Sequence, residues 1–280
     1  AREYAVLIKG VAVAKGEVMP SQFMAINPGN VTEKLKGIET VEPAFGLPAH
    51  WIAEEEREHA QFLGYTLVDP ATVISTHLTE VIKANACDLL GRQETQHLIE
   101  NLASVSPKVV EELIPGIMSL GAVQKVLHNL LRERVSIFDL RTILETLADY
   151  APVVKDLSQL TELVRQALAR SLVKPYITPQ GDLPLLVLGG ALEAQLAGKI
   201  ERIQNVDQLV IQPEEAQKTI MKIKNTVERS GIRVQPIMLC SSLVRPHLRQ
   251  LTERFLPELI LLSAAEIPNY VKIVSLGVIE

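Results

Sequence analysis

Aromatic side chains make up only 4% of the 280 residues, with one tryptophan, five tyrosines and five phenylalanines. A core with so few rings has to be aliphatic, and Leu, Val, Ile and Ala carry most of the 47% apolar content. Long apolar runs are missing too. The longest, residues 183–188 and 259–262, are the length of buried strands and far short of the roughly 18 to 20 residues of a membrane-spanning helix. Basic charge is not in excess, since 28 Lys and Arg face 33 Asp and Glu for a net charge of −5. That balance argues against nucleic-acid binding, which needs a concentrated basic face. Lys222 and Lys224 share their predicted helix with Glu214, Glu215 and Glu228 and read as a solvated face. Cysteine is scarce, and Cys87 and Cys240 stand far apart in apolar contexts. They read as reduced, buried thiols, with a disulfide as the alternative.

Catalytic signals are equally thin. The six histidines, at 50, 59, 77, 97, 128 and 247, are scattered. His50 and His59 flank a predicted acidic helix, but their separation puts them on different faces, and no pair shows metal-ligand spacing. Gly189-Gly190 after a strand lacks the further glycines and the Lys-Ser/Thr ending of a phosphate loop. Ser241-Ser242 has no G-x-S-x-G context and reads as a turn or helix cap. Glu54, Glu55, Glu56 and Glu58 read as a solvated face. No catalytic residue, cofactor or metal is expected.

A chain of this length exceeds one compact core, so two to four subdomains are expected. Residues 4–19 alternate around Gly10 and Gly16 and predict a strand hairpin. A start inside such an alternation, with no leader before it, reads as a piece of a longer protein. Residues 21–69 read as irregular apart from an acidic helix over 52–63 and a short strand over 65–68; Pro70 then opens a helix over 71–85. Three stripes at three-and-four spacing predict helices: Val123 to Leu131, Leu140 to Leu147, and Leu157 to Leu168. Breaks at Pro107, Pro115-Gly116 and Pro152 separate the helices, and Ser136, three residues before Asp139, resembles a helix start. After Pro175 strands alternate with helices: strand 184–188, helix 192–196, helix 214–229 stopped by Gly231, strand 232–240, helix 249–255, and strands 259–262 and 271–278.

The densest information lies in residues 41–52. Two prolines, a glycine, Phe45 and the only tryptophan fall within twelve residues, which predicts a rigid, turn-rich segment without regular helix or strand. Such a segment either plugs its own small core with the rings or presents one to a partner. Residue pattern alone leaves both open.

Several separated motifs occur in one order along the chain: Ala25-Ile26-Asn27-Pro28-Gly29, the 41–52 run, Val73-Ile74-Ser75-Thr76-His77-Leu78, Gly91-Arg92-Gln93-Glu94-Thr95-Gln96, Glu112-Leu113-Ile114-Pro115-Gly116 and the run from Leu140 to Ala148. With these motifs essentially the whole chain resembles the cytoplasmic domain of the FlhA (FHIPEP) family of flagellar type III export-gate proteins. The 140–148 run and Val126 to Leu131 are closer to the flagellar than to the injectisome branch. The resemblance implies an α+β fold of four subdomains. These are a split α/β first subdomain (1–20 and 70–89, its beginning missing), an inserted second (21–69), an all-helical third (90–170) and an α/β fourth (171–280).

By the same resemblance the domain is a non-enzymatic cytoplasmic docking platform that joins a ring, usually nine-fold, beneath an inner-membrane gate. The implied partners are flagellar export chaperones with bound substrates, the export ATPase complex and other gate proteins. Contact with the membrane is expected only through a missing N-terminal region. The implied docking residues are Glu42, Phe45 and Thr76, with Glu42 standing where the family more often has Asp. Glu42 is expected at an exposed rim, Phe45 as an apolar anchor and Thr76 as a hydrogen-bonding hydroxyl. Two alternatives remain: an injectisome homologue, and a small-molecule enzyme with a deep pocket near Gly189-Gly190 and Ser241-Ser242.

Overall fold

The computed structural model describes residues 2–29, 31, 33, 35–203, 206–230 and 235–280. The chain forms two compact units, Ala1–Gly91 and Arg92–Glu280, in a mixed helix-and-sheet fold of the expected class.

The first unit opens with an antiparallel hairpin of β1 (Arg2–Ile8) and β2 (Val11–Val18). Lys9 and Gly10 join the strands at φ 50° and 80°, the positive-φ pair whose twist suits a two-residue hairpin. A four-stranded antiparallel sheet follows, built from β3 (Phe23–Ile26), β4 (Ile38–Val41), β5 (Pro48–Ile52) and β6 (Thr66–Val68) in the order β4-β5-β3-β6. A 3-10 turn (Glu54–Glu56) and α1 (Arg57–Phe62) lie between its last two strands in sequence. Helix α2 (Pro70–Ala84) begins where Asp69 accepts hydrogen bonds from the Ala71 and Thr72 amides, with proline at the first helical position. A short α3 (Ala86–Leu89) closes the unit.

Alternation along the sheet decides which residues meet. Met24, Ala49 and Trp51 pack with Val18 of β2 and Val73 of α2. Ala25 and Ile52, on the opposite face, pack with Leu35, Ala60 and Tyr65. The single tryptophan is thus core, only 1% exposed.

Several expectations for this stretch are corrected. Residues 21–69 are not irregular but carry a four-stranded sheet. The second half of the 41–52 segment is a strand, because Pro48 stands at its first position, where a missing amide is tolerated. The acidic helix does not begin at Ile52, which belongs to β5; regular helix starts only at Arg57.

The second unit begins with six helices, α4 (Arg92–Val105), α5 (Pro107–Leu113), α6 (Leu120–Arg132), α7 (Leu140–Tyr150), α8 (Leu157–Ala167) and α9 (Ala169–Val173). The predicted stripes are its core: Val123, Val126, Leu127 and Leu130 on α6, Ile143, Leu144 and Leu147 on α7, Leu160 and Val164 on α8 are all buried. The remainder alternates: β7 (Asp182–Leu188), α10 (Gly190–Ala197), the hairpin β8 (Ile200–Ile203) with β9 (Val206–Leu209), α11 (Pro213–Arg229), β10 (Ile237–Cys240), α12 (Arg245–Thr252), β11 (Ile260–Ser263) and β12 (Lys272–Ile279). Strands β11-β10-β7-β12 form a parallel sheet in that order. Neither Cys87 nor Cys240 forms a disulfide; burial pushes the Cys240 thiol up to about 12. No helix among the described residues is long and apolar enough to cross a membrane.

Here too the boundaries differ from expectation. Helix α7 starts at Leu140, not at Ser136. Asp139 is its cap, accepting from the Thr142 amide, while the Ser136 hydroxyl accepts from the Phe138 amide one turn earlier. The last helix covers Arg245–Thr252 instead of 249–255, because Pro246 fits its first turn. The β8–β9 hairpin had no signal strong enough to register. The predicted strand over 232–240 is strand from Ile237; its start, and the stop at Gly231, lie outside the described residues.

One feature of this unit has no precedent in its sequence pattern. Arg165 of α8 and Arg245 of α12 are almost wholly buried, 2% and 0% exposed at their side chains. Arg165 donates to Glu266 (2.5 Å), Glu133 (3.1 Å) and the Leu261 carbonyl (3.2 Å). Arg245 donates to Glu133 (2.6 Å) and Glu162 (2.6 Å). The helices and the parallel sheet are therefore joined through a buried ion cluster as well as through apolar contact.

Candidate functional site

The turn between β4 and β5 is a single helical turn capped at both ends. Pro43 presets its first position. The Glu42 carboxylate accepts from the Ala44 amide (2.9 Å) and the Phe45 amide (2.7 Å), satisfying donors that would otherwise be orphaned at a helix start. At the other end Gly46 takes φ +70° and donates its amide to the Glu42 carbonyl at 2.9 Å. The Glu42 amide then pairs with the Leu47 carbonyl at 2.8 Å, closing the loop. On this turn, capped at both ends, the Phe45 ring points outward, 61% exposed. The reading of Phe45 as core filler is excluded.

Glu42 does not meet the expectation of an exposed rim charge. It is 3% exposed, because its two oxygens are turned in on the loop's own amides. Behind it stands Tyr4 of β1, whose hydroxyl is 2.8 Å from His77 Nδ1. Burial first, and the Glu42 charge second, push the Tyr4 hydroxyl above its ordinary pKa. The Tyr4 ring lies across Gly16, its partner on β2, where an added Cβ would fall 2.4 Å from it. Tyr4 and His77 were not singled out by sequence reasoning; only the odd placement of Gly16 in a strand hinted at a ring packed over it.

Thr76, next to His77 on α2, is half-buried, and its hydroxyl has no hydrogen bond among the described residues. It is therefore not spent on its own backbone, unlike Ser75 and Thr79 nearby. The structure joins Glu42 and Phe45 directly. Thr76 is adjacent in sequence to His77, which pairs with Tyr4.

Helix α2 buries Val73, His77 and Val81 and leaves Ile74, Leu78 and Ile82 partly exposed on one flank, with Thr76 on the other. That apolar flank also escaped sequence reasoning. Four of the five phenylalanines, Phe45, Phe62, Phe138 and Phe255, are more than 60% exposed. Exposure alone does not mark Phe45; its locked turn does.

Positions weighed for catalysis are otherwise engaged. The Gly189 amide donates to the Ile279 carbonyl, and a Cβ there would meet that oxygen at 2.8 Å, so packing explains this glycine. The Ser241 hydroxyl accepts from the Val244 amide at 3.4 Å. A cleft of about 400 Å³ does lie beside Ser242, with Asp156, Glu162, Asp207 and His247 in its walls. Its carboxylates have work already: Asp156 caps α8, Asp207 accepts from Gln159, and Glu162 holds Arg245. Burial pulls the His247 pKa down. No group of three His, Cys, Asp or Glu side chains among the described residues could hold a metal ion.

The description of the FHIPEP family matches residues 1–272. The flagellar biosynthesis protein FlhA of Bacillus subtilis (strain 168) is 42% identical over 279 residues, which are 99% of this chain and 41% of that protein. The chain thus spans about two fifths of the length of that curated relative. Among solved structures, the Chlamydia pneumoniae CdsV protein matches with a TM-score of 0.90 at 26% identity, over 99% of this chain and 80% of the other. Nonameric EPEC SctV-C matches with a TM-score of 0.81 at 23% identity, over 99% and 83%.

Proposed function

Since the chain belongs to the FHIPEP family, we propose that it is the cytoplasmic docking platform of a flagellar type III protein export apparatus, receiving chaperone–substrate complexes and passing cargo to an inner-membrane gate. The observation that carries this reading is the Phe45 ring, held out on a doubly capped turn. Moving a phenylalanine from water into a partner's groove is worth roughly 1.5 to 3 kcal/mol, and such anchors commonly dominate an interface. In this proposal Phe45 is the anchor, Thr76 offers its unpaired hydroxyl to the partner, and Glu42 positions the ring without touching the partner.

The four-subdomain division belongs to the same proposal, as does a homo-oligomeric ring, the export ATPase complex and the other gate proteins as partners. A solved neighbour described as a nonamer supports a shared fold for the ring. Phe138, 97% exposed, supplies apolar surface that such contacts would cover. Identity of 42% to a flagellar relative favours the flagellar over the injectisome reading. The site binds and does not catalyse in this view.

The test is a titration of a purified chaperone–flagellin complex into the wild-type chain, Phe45→Ala and Phe138→Ala. Phe45→Ala should keep its circular dichroism and lose at least about tenfold in affinity, equal to about 1.4 kcal/mol. Phe138→Ala should bind like wild type. Unchanged affinity in a folded Phe45→Ala would overturn the assignment.

A further inference from the structure

A separate cavity in the second unit, about 110 Å³, is walled by charged and polar groups whose pairing is uneven. Glu133 gives its oxygens to Arg165 and Arg245. Each Arg165 nitrogen has an acceptor, in Glu266, Glu133 and the Leu261 carbonyl. Arg134 makes a two-point pair with Glu258, at 3.1 and 3.3 Å. Arg249, on the same wall, differs from all of these. It donates Nη1 to the Leu259 carbonyl at 3.0 Å, its buried Nε has no partner, and no carboxylate among the described residues stands within ion-pair distance. Burial pulls its pKa below the ordinary value, with Glu133 and Glu253 opposing only at longer range.

The hydroxyl of Tyr176, also on the wall, has no hydrogen bond among the described residues. Burial raises its pKa, so it keeps its proton and is a donor. A half-buried guanidinium with no carboxylate in ion-pair distance, lining one cavity with an idle hydroxyl donor and Gln235, is the chemistry that holds an oxyanion. About 110 Å³ leaves room for a phosphate or a short carboxylate.

We propose that this cavity binds a small oxyanion, a phosphate or carboxylate group, with Arg249 supplying the charge and Tyr176 a hydrogen bond. Nothing in this rests on Phe45, which lies in the other unit.

Calorimetric titration with inorganic phosphate, acetate and malonate, against sodium chloride at matched ionic strength, tests it. Wild type should bind at least one of the three oxyanions saturably at millimolar concentration and should not bind chloride so. Arg249→Gln should weaken that binding at least about tenfold, and Tyr176→Phe about threefold to tenfold. Preference for phosphate or for malonate would identify which source of the shared chemistry is taken. Absence of saturable binding, or equal affinity in a folded Arg249→Gln, would overturn the proposal. If circular dichroism finds Arg249→Gln unfolded, Tyr176→Phe decides, and unchanged affinity there overturns it.

Discussion

Glu42 is a charged side chain that the fold hides, and what it does there is local. Its carboxylate takes the Ala44 and Phe45 amides, so the charge is spent on holding the ring's platform. Removing a capping acceptor costs about 1 kcal/mol. Glu42→Ala should therefore lower the stability of the first unit by about that amount, read by urea unfolding with Trp51 fluorescence. It should also weaken docking, because the Phe45 ring would no longer be held in one place. Glu42→Asp, a shorter acceptor of the same kind, should lose less than half as much stability. An Ala variant as stable as wild type would mean that the carboxylate does not hold the turn. The sequence carried part of this: two prolines, a glycine and an acid marked a rigid turn, and left open whether its ring pointed in or out. It did not carry the direction of the Glu42 side chain, because a glutamate before Pro-Ala-Phe-Gly fits a rim charge and a cap equally well.

At the scale of elements, apolar periodicity was the reliable signal. Helices α6, α7 and α8 lie where their stripes predicted, since one face of a helix must be buried whatever packs against it. The four strands within residues 23–68 were harder to see because each is three to five residues long, too short for alternation to stand out. Arg165 and Arg245 were invisible for another reason. A buried arginine is identified by its partners, and Glu133, Glu162 and Glu266 lie 29 to 133 residues from one another along the chain. These contacts give the cluster a definite acid response. Burial raises the Glu133 carboxyl, but Arg165 and Arg245 outweigh it and hold the group at about 2, against 4.5 for the free side chain. Burial prevails at Glu162, whose pKa is raised instead. The unfolded chain takes up a proton at Glu133 first, so the stability from that group is complete above pH 4.5 and is lost as pH falls toward 2. Its size is on the order of 3 kcal/mol. Glu133→Gln should cost about 3 to 5 kcal/mol at neutral pH by leaving two buried arginines short of charge. The gap between variant and wild type should narrow on acidification over that range. A gap independent of pH in urea melts monitored by far-UV circular dichroism would count against the Glu133 assignment.

At the scale of the molecule, each of the two units carries its own buried clusters. The single tryptophan belongs to the first unit, while α4 to α12 belong to the second. Two probes therefore report on two bodies: tryptophan fluorescence on the first and helical circular dichroism mainly on the second. Urea unfolding should give transitions that do not coincide, and Glu42→Ala should move only the fluorescence curve. Superimposable curves in wild type and variant alike would mean that the chain unfolds as one body.

Family, fold class and the rigid turn around Phe45 were legible in the sequence by itself, because they depend on order of motifs, on periodicity and on local turn chemistry, each carried by neighbouring residues. Only the tertiary structure decided that Trp51 is core, that Glu42 turns inward, that two arginines are sealed among carboxylates and that Arg249 is left without one. The physical reason is that burial and ion pairing are set by residues brought together from distant parts of the chain, and nothing local in the sequence encodes which of them will meet.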